Sequence, residues 1–266
     1  MKYIFSILCF TIFQFGYSQA TRFIYQATMT PDSTNVSKKT ERVYLDIDGQ
    51  NSTFYSENRA KRDSVMNRMR QTRNFDRSQM QDLRSGIDFT VEKNLVQQNI
   101  NFKQRLGRDQ YTYTENIPNN WTILSETIKI GNYQTQKAQI QYGGRIWYAW
   151  FTPEVPLQDG PYKFGGLPGL IIKLEDSKGD YSFDLMESKK IPNLQSPQSR
   201  SQDIRITKEK FMVTQKKFME DPSSFMGNMT GNNRRSAQGT NPRQMQDAQK
   251  KRLEELASRN NPIELK

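Results

Sequence analysis

Residues 160–172 read Gly160-Pro161-Tyr162-Lys163-Phe164-Gly165-Gly166-Leu167-Pro168-Gly169-Leu170-Ile171-Ile172. An aromatic run at 147–151 precedes this stretch, and its own apolar end continues to residue 174. Apolar runs of this length are typical of buried strands, whereas Pro168-Gly169 favours a type II turn and Gly165-Gly166 a second hinge. The stretch predicts two core strands joined by a specially shaped loop, or a loop whose backbone forms a lip for a partner or ligand. Its structural positions are Gly160, Pro161, Gly165, Gly166, Leu167, Pro168, Gly169 and Leu170.

Short apolar segments alternate with turn residues along the rest of residues 19–206. Val43, Leu45 and Ile47 alternate with polar residues and stop at Asp48-Gly49, a dipeptide typical of hairpins. Residues 88–96, or 88–102, are predicted as one further strand. The pattern predicts a mainly β domain, an antiparallel meander of about nine or ten strands that forms a curled sheet or partial barrel.

The positive charge of the chain is concentrated in an insert and a tail. The net charge is +11, and residues 59–84 hold eight Lys or Arg against three Asp. Residues 57–86 are predicted as a basic insert of one or two exposed helices between strands. Residues 207–266 are predicted as a basic tail that is partly helical and partly disordered.

Within this tail region the pattern distinguishes several pieces. Residues 204–219 and 245–258 are predicted as helices, and residues 221–244 as disordered. At the end of the chain, Ile263 and Leu265 are placed to dock back on the β domain.

The first 18 residues have the pattern of a secretory signal peptide. Lys2 precedes an apolar core at residues 4–15, and small residues follow at 16–18. The apolar run is shorter than the roughly 20 residues of a membrane span, so a retained anchor is the less favoured alternative. Cys9 follows the bulky Leu8, which does not suit a lipoprotein signal. The sequence therefore predicts an exported protein, periplasmic, outer-membrane associated or secreted, that is not a lipoprotein.

The residue types present restrict the chemistry. The chain has no histidine, and its one cysteine lies in the predicted signal peptide, which excludes histidine-based triads and zinc sites as well as thiol nucleophiles. Glu154 and Asp159, and likewise Glu175 and Asp176, are interpreted as solvated loop carboxylates because no spacing marks either pair as an acid and base. No catalytic residue, metal ligand or cofactor is predicted.

The aromatic run offers the best candidate contact surface. Trp147 and Phe151 are predicted on one face of a strand, with Trp150 on the other, so the strand is buried on both sides or lines a cavity. A plain core is favoured over an aromatic-lined hollow. If a hollow exists, a hydrophobic ligand or apolar peptide suits its walls. The candidate ligand or partner surface consists of Trp147, Trp150, Phe151, Tyr162 and Phe164.

Several short motifs resemble those of the GLPGLI family. They are Gly144-Arg145, Ala149-Trp150, Thr152-Pro153, Gly160-Pro161, the run Gly166 to Ile171 that spells the family name, and the Asn-Pro-Ile-Glu-Leu end. The resemblance is specific over residues 133–184 and is absent over the insert and most of the tail. The family comprises exported Bacteroidota proteins without an established activity, so the resemblance implies a cell-envelope setting and carries over no catalytic residue.

These observations favour a non-enzymatic binding or accessory protein of the envelope, whose partner is an envelope protein or hydrophobic ligand. The alternatives are a carboxylate-dependent hydrolase and a purely structural or interaction protein. Export argues against nucleic acid as the partner of the basic insert and tail. Anionic lipid or an acidic protein fits such charge better than nucleic acid does, and a merely solvated, solubilising surface is the favoured interpretation.

Overall fold

The computed structural model describes residues 19–35, 37–74, 76–80, 82–195, 202–221, 224–226, 247 and 260–265. The predicted signal peptide lies outside these residues. So do most of the predicted disordered segment and of the predicted helix at 245–258. No helix in the described part of the chain has the length and apolar character that crossing a bilayer requires.

Twelve strands of the described residues form one sheet. They are β1 Ala20–Met29, β2 Lys39–Ile47, β3 Asn51–Ser56, β4 Phe89–Asn94, β5 Asn99–Leu106, β6 Asp109–Asn116, β7 Thr122–Ile130, β8 Tyr133–Tyr142, β9 Arg145–Thr152, β10 Leu170–Asp176, β11 Tyr181–Ile191 and β12 Asp203–Arg205. The two α-helices are α1 Glu57–Thr72 and α2 Lys208–Glu220, and short 3-10 helices span Arg77–Met80 and Ser224–Met226.

The strand order is β12-β6-β5-β4-β3-β2-β1-β11-β10-β9-β8-β7. Two meanders, β1 to β6 and β7 to β11, are therefore joined side by side through the antiparallel pairing of β1 with β11. Every neighbouring pair is antiparallel except β12 with β6. The predicted class, a mainly β curled antiparallel sheet, is confirmed. The sheet is open in the described residues, with β12 and β7 at its edges.

Two strands were not predicted. The segment predicted as one strand at 88–102 is the hairpin of β4 and β5, which turns at residues 95–98 without Gly or Pro. Gln98 adopts φ +55° there, and the side-chain oxygen of Asn94 accepts a bond from the backbone N–H of Gln97 at 2.7 Å. The three-residue β12 is too short to show an alternation of apolar and polar side chains. It lies at the start of the segment that was predicted to be helical.

The sheet carries a large core on its inner face and a small one on its outer face. Phe23, Phe54, Phe102, Trp147 and Phe183 belong to the inner core, whereas Ile24, Tyr44 and Tyr55 form the outer cluster with Ala60 of α1. Alternating side chains along each strand produce this division.

Helix α1 confirms that the basic insert is helical. Its N-cap is Ser56, whose hydroxyl accepts a bond from the backbone N–H of Arg59. The helix is not wholly exposed as predicted, because Arg59 and Met69 are buried and the guanidinium of Arg59 bonds to the carbonyl of Asp88 at 3.1 Å.

Candidate functional site

The connection between β9 and β10, residues 153–169, enters the interior of the curled sheet. Tyr162, Lys163, Phe164 and Leu167 are each at most 1% exposed. The Phe164 ring lies 5.0 Å from that of Trp147 in β9, and the Tyr162 ring lies 5.3 Å from that of Phe89 in β4. The loop thus packs between the two meanders and links them.

This packing corrects the predicted contact surface. Trp147, Trp150, Phe151, Tyr162 and Phe164 are between 0% and 8% exposed, so they do not form an open partner surface. The inner rings pack on one another as core. On the outer face Trp150 is covered instead by Lys137, whose ammonium lies 5.4 Å from the centre of the ring.

The glycines of the loop are required for backbone reasons. Gly166 and Gly169 have φ of +79° and +146°, values that side-chain-bearing residues rarely adopt. The predicted type II hydrogen bond does not form. The N–H of Leu170 bonds instead to the carbonyl of Val155 at 3.1 Å. The N–H of Gly169 bonds to the carbonyl of Leu167 at 2.7 Å.

A buried loop must find partners for its backbone, and Lys93 of β4 supplies them. Its ammonium donates to the carboxylate of Asp159, to the carbonyl of Gly160 at 2.7 Å and to that of Phe164 at 3.0 Å. Lys93 and Asp159 are both 0% exposed. All three ammonium hydrogens therefore hold the loop in place.

Beside this anchor lies a second group of charged and phenolic side chains, which we call the Lys163 cluster. Its members are Tyr113, Glu115, Tyr142, Tyr162, Lys163, Lys208 and Glu264. They come from β6, the end of β8, the loop, the first turn of α2 and the end of the chain. The sequence did not predict this cluster, because its members lie up to 151 residues apart and no local pattern connects them.

Lys163 is the centre of the cluster. Its ammonium donates to the Tyr113 hydroxyl at 2.7 Å and forms ion pairs with Glu115 and Glu264. The Phe102, Tyr113 and Tyr162 ring centres lie 4.8 to 5.3 Å from the same nitrogen. The result is an aromatic cage around a cation, closed by two carboxylates.

Lys208 and the tyrosines complete the contacts of the two carboxylates. The Lys208 ammonium lies 2.8 Å from Glu115 and 2.9 Å from Glu264. The hydroxyl of Tyr162 donates to Glu264, and that of Tyr142 donates to Glu115 at 3.1 Å. Tyr162 has φ +58°, an uncommon conformation that costs roughly 1–3 kcal/mol in a residue with a side chain. The surrounding contacts hold the tyrosine in this strained position.

Burial and charge shift the pKa values within the cluster. Burial lowers the pKa of the Lys163 ammonium below its usual value, against the effect of Glu264 and Glu115. Burial acts to raise the pKa of Glu264, but Lys163 and Lys208 outweigh it and hold that pKa below 4.5. Burial also raises the pKa of Tyr162 well above its ordinary value, so this phenol is a hydrogen-bond donor at neutral pH.

The end of the chain brings Glu264 into the cluster. Residues 260–265, which we call the C-terminal segment, dock on the β domain. Of the two apolar residues predicted to dock, Ile263 packs against the core, whereas Leu265 is 44% exposed. Arg145 donates to the Asn261 side chain and to the carbonyl of Pro262, the latter at 2.9 Å. The N–H of Leu265 bonds to the carbonyl of Gly143 at 2.6 Å. The Gly-Arg turn and the Asn-Pro-Ile-Glu-Leu end, two separate motifs in the sequence, are thus in direct contact.

Two of the carboxylates interpreted as solvated are buried, which corrects that prediction. Asp159 pairs with Lys93, and Asp176 pairs with Arg145 at 2.7 Å. Glu154 and Glu175 remain at the surface, where Glu175 pairs with Lys173 at 2.9 Å. Among the described residues, no three side chains of the metal-ligating types converge on one point.

Glu264→Gln tests the electrostatic role of the cluster. Because the folded pKa is below 4.5, the Glu264 carboxylate stabilises the fold above that pH and loses its effect as the pH falls through the folded pKa. We expect the free energy of unfolding of the variant to be about 1.5–3 kcal/mol lower than that of the wild type at pH 7, and the difference to shrink as the pH falls through the folded pKa. Urea unfolding between pH 3 and pH 7 measures both.

The exposed Glu220→Gln is the matched control and should leave the free energy of unfolding unchanged. Glu115 faces the same lysines and also contributes to the pH dependence of each protein. The role of Glu264 is therefore read from the difference in free energy of unfolding between wild type and Glu264→Gln. A constant difference at every pH would contradict the assignment.

Comparisons with known proteins find one family match and several structures of similar fold. A family model described as a protein of unknown function (Porph_ging) matches residues 144–173, which contain Arg145, Lys163 and the glycines of the loop. No curated protein matches the sequence.

Solved structures of PNGF-II have a similar fold. The one in a P21 space group superposes with a TM-score of 0.54 at 15% identity, over 74% of this chain and 33% of that one. The one in a C2 space group gives 0.53 at 15% identity, over 73% and 32%. This chain therefore spans about a third of the length of PNGF-II, and the likeness shows the fold alone.

Proposed function

We propose that the protein is an exported, non-enzymatic binding or accessory protein of the cell envelope, and that it holds its partner at the Lys163 cluster. The signal-peptide pattern at residues 1–18 and the resemblance to the exported GLPGLI family support the setting. The Porph_ging match falls on the segment that carries that resemblance.

The way in which the cluster uses its polar groups favours binding over catalysis. Tyr113, Glu115 and Glu264 surround the Lys163 ammonium, and the two carboxylates favour its charged form, which has no lone pair to offer as a nucleophile. The lowered pKa of Glu264 makes this carboxyl a poor general acid near neutral pH. The alternative of a carboxylate-dependent hydrolase therefore has less support here.

One observation carries the proposal: the β domain and α2 hold a carboxylate that arrives on an extended segment. Lys163 and Lys208 contribute two positive charges and Glu115 one negative charge, which leaves one positive charge for Glu264 to neutralise. A site with fixed donors and one uncompensated cation recognises a single anionic group. The exposed basic residues of α1 would add contacts to anionic lipid or an acidic surface.

Affinity capture of envelope components with the full chain tests the proposal. Lys208 is partly exposed at the rim of the cluster, so Lys208→Met should fold while losing one of the two cations. Removing a charge-assisted contact weakens binding by roughly tenfold or more. We expect a partner captured by the wild type to be reduced about tenfold with Lys208→Met.

Lys216→Met, an exposed position on the same helix, is the matched control and should capture the partner as the wild type does. Equal recovery with Lys208→Met would contradict binding at the cluster. Turnover of an envelope substrate by the purified chain, lost on changing Glu115 to Gln, would replace the binding function by the hydrolase.

A further inference from the structure

We infer that the groove occupied by the C-terminal segment is a binding site for an extended peptide with an Asn and, three residues later, a carboxylate side chain. The chain's own segment is then an intramolecular ligand of this site. The inference rests on the proposed function, because it names the class of ligand that the Lys163 cluster takes.

The segment is held as a peptide ligand is held, through its backbone and through inserted side chains. The N–H of Asn261 bonds to the carbonyl of Pro31 at 2.9 Å, and the N–H of Leu265 to that of Gly143 at 2.6 Å. The carbonyl of Asn261 accepts from the Tyr181 hydroxyl at 2.6 Å. The side chains of Asn261 and Glu264 enter polar sites of the body, and that of Ile263 packs against the core between them. Backbone bonds supply affinity in such a complex, and the inserted side chains supply specificity.

The Asn subsite is built by groups that the body itself fixes. The Arg145 guanidinium bonds to Asp176 at 2.7 Å and to Asp180 at 2.9 Å, and it stacks on the Tyr181 ring at 5.0 Å. These contacts do not involve the segment. Arg145 is therefore oriented before a ligand arrives, and it presents its second nitrogen to an amide oxygen and a backbone carbonyl. The amide of Asn261 in turn donates to the carbonyl of Thr30 at 2.8 Å.

The carboxylate subsite is the Lys163 cluster without Glu264. Without Glu264, Lys163 would keep its cage of rings and Lys208 its pair with Glu115, because the β domain and α2 make those contacts. The Tyr162 hydroxyl, which now donates to Glu264, would be free to donate to a carboxylate of the ligand. A buried cation without full compensation is costly, so an empty site has a strong preference for an anion. Pro262 and Leu265 are exposed and place little restriction on the ligand at those positions.

A labelled peptide in the sequence of residues 260–266 tests the inference on the full chain. A tethered ligand has an effective concentration up to the millimolar order, so the wild type should bind this probe weakly. The double variant Asn261→Ala/Glu264→Gln loosens the chain's own segment at both subsites. We expect fluorescence anisotropy to show at least tenfold tighter binding of the peptide to this variant than to the wild type.

Two control peptides distinguish specific recognition of the carboxylate from nonspecific adhesion of the peptide. The peptide with Gln in place of Glu264 should bind at least about tenfold more weakly, because it lacks the charge-assisted bonds. The peptide with Ala in place of the exposed Leu265 should bind like the parent. Equal binding of the Gln peptide would overturn the carboxylate requirement, and no binding to a folded double variant at millimolar peptide would overturn the site.

A measurement on the wild type keeps the inference testable if the double variant fails to fold. Excess unlabelled peptide should speed exchange of the Asn261 and Leu265 amides, whose bonds hold the segment, and leave exchange in β8 and β9 unchanged, because the added peptide takes the place of the segment. Unchanged exchange at saturating peptide would overturn the inference. If the peptide fails while Lys208→Met still loses the captured partner, the ligand class is wrong and the proposed function stands.

Discussion

Asp159→Asn should lower the free energy of unfolding by about 3–5 kcal/mol, the loss typical of removing one member of a buried ion pair. Lys93 would keep its place at 0% exposure without a countercharge. Asparagine has nearly the size of aspartate, so the loss reports on charge and not on a cavity. The buried loop depends on Lys93 for two carbonyl partners, and we expect it to loosen together with the fold.

Urea unfolding followed by circular dichroism measures this effect, and Lys103→Met is its matched control. Lys103 pairs with Glu92 at 2.8 Å, but both side chains are more than a fifth exposed. Such a pair contributes about 1 kcal/mol or less. A loss below about 1 kcal/mol for Asp159→Asn would show that the buried pair does not anchor the loop.

Gly169→Ala should be the most damaging single change in the loop. A Cβ at this position would lie 2.0 Å from the carbonyl oxygen of Thr152 and 2.5 Å from its carbonyl carbon. Both atoms belong to the backbone of β9 and cannot move aside as a side chain can. The overlap adds to the cost of φ +146° for alanine. We expect a loss of about 4 kcal/mol or more, which places the variant among the exceptional point mutations.

Gly179→Ala isolates the conformational part of that loss. Gly179 also has positive φ, +71°, but a Cβ there would meet nothing within 4 Å. Its cost should be about 1–2 kcal/mol, the penalty of a left-handed conformation alone. Thermal and urea unfolding of the two variants side by side measure the difference. Equal losses would mean that close approach of the backbones is not what selects glycine at residue 169.

The predictions from sequence that held are those that depend on local chemistry. The alternating apolar residues of β2 and the Asp48-Gly49 dipeptide predicted the hairpin of β2 and β3. At its turn the side chain of Asp48 accepts bonds from the backbone N–H groups of residues 50 and 51. Residues 57–72 contain no Pro or Gly, which favoured a helix there, and the structure has α1 over these residues. Gly166 and Gly169 have positive φ, as the predicted turn and hinge require and as glycine permits.

The burial of two carboxylates could not be predicted from their neighbours in the sequence. Asp159 and Asp176 lie next to Gly, Ser or loop residues, and such neighbours are typical of solvated turns. Their burial depends on Lys93 and Arg145, which are 66 and 31 residues away. The aromatic residues lie in the core, which was the favoured interpretation. The alternative of a contact surface arose because an apolar side chain serves equally well in a core and on a binding surface.

The sequence by itself determined a mainly β chain with a histidine-free composition and a glycine-dependent loop, because each follows from residue types and their spacing. Only the tertiary structure decided that the loop fills the interior and that Lys163, Glu115, Lys208 and Glu264 meet. The reason is physical: strand period and turn chemistry act over a few residues. Which cation neutralises which carboxylate depends instead on how the two meanders curl around the loop, and that arrangement is fixed by the packing of the whole core.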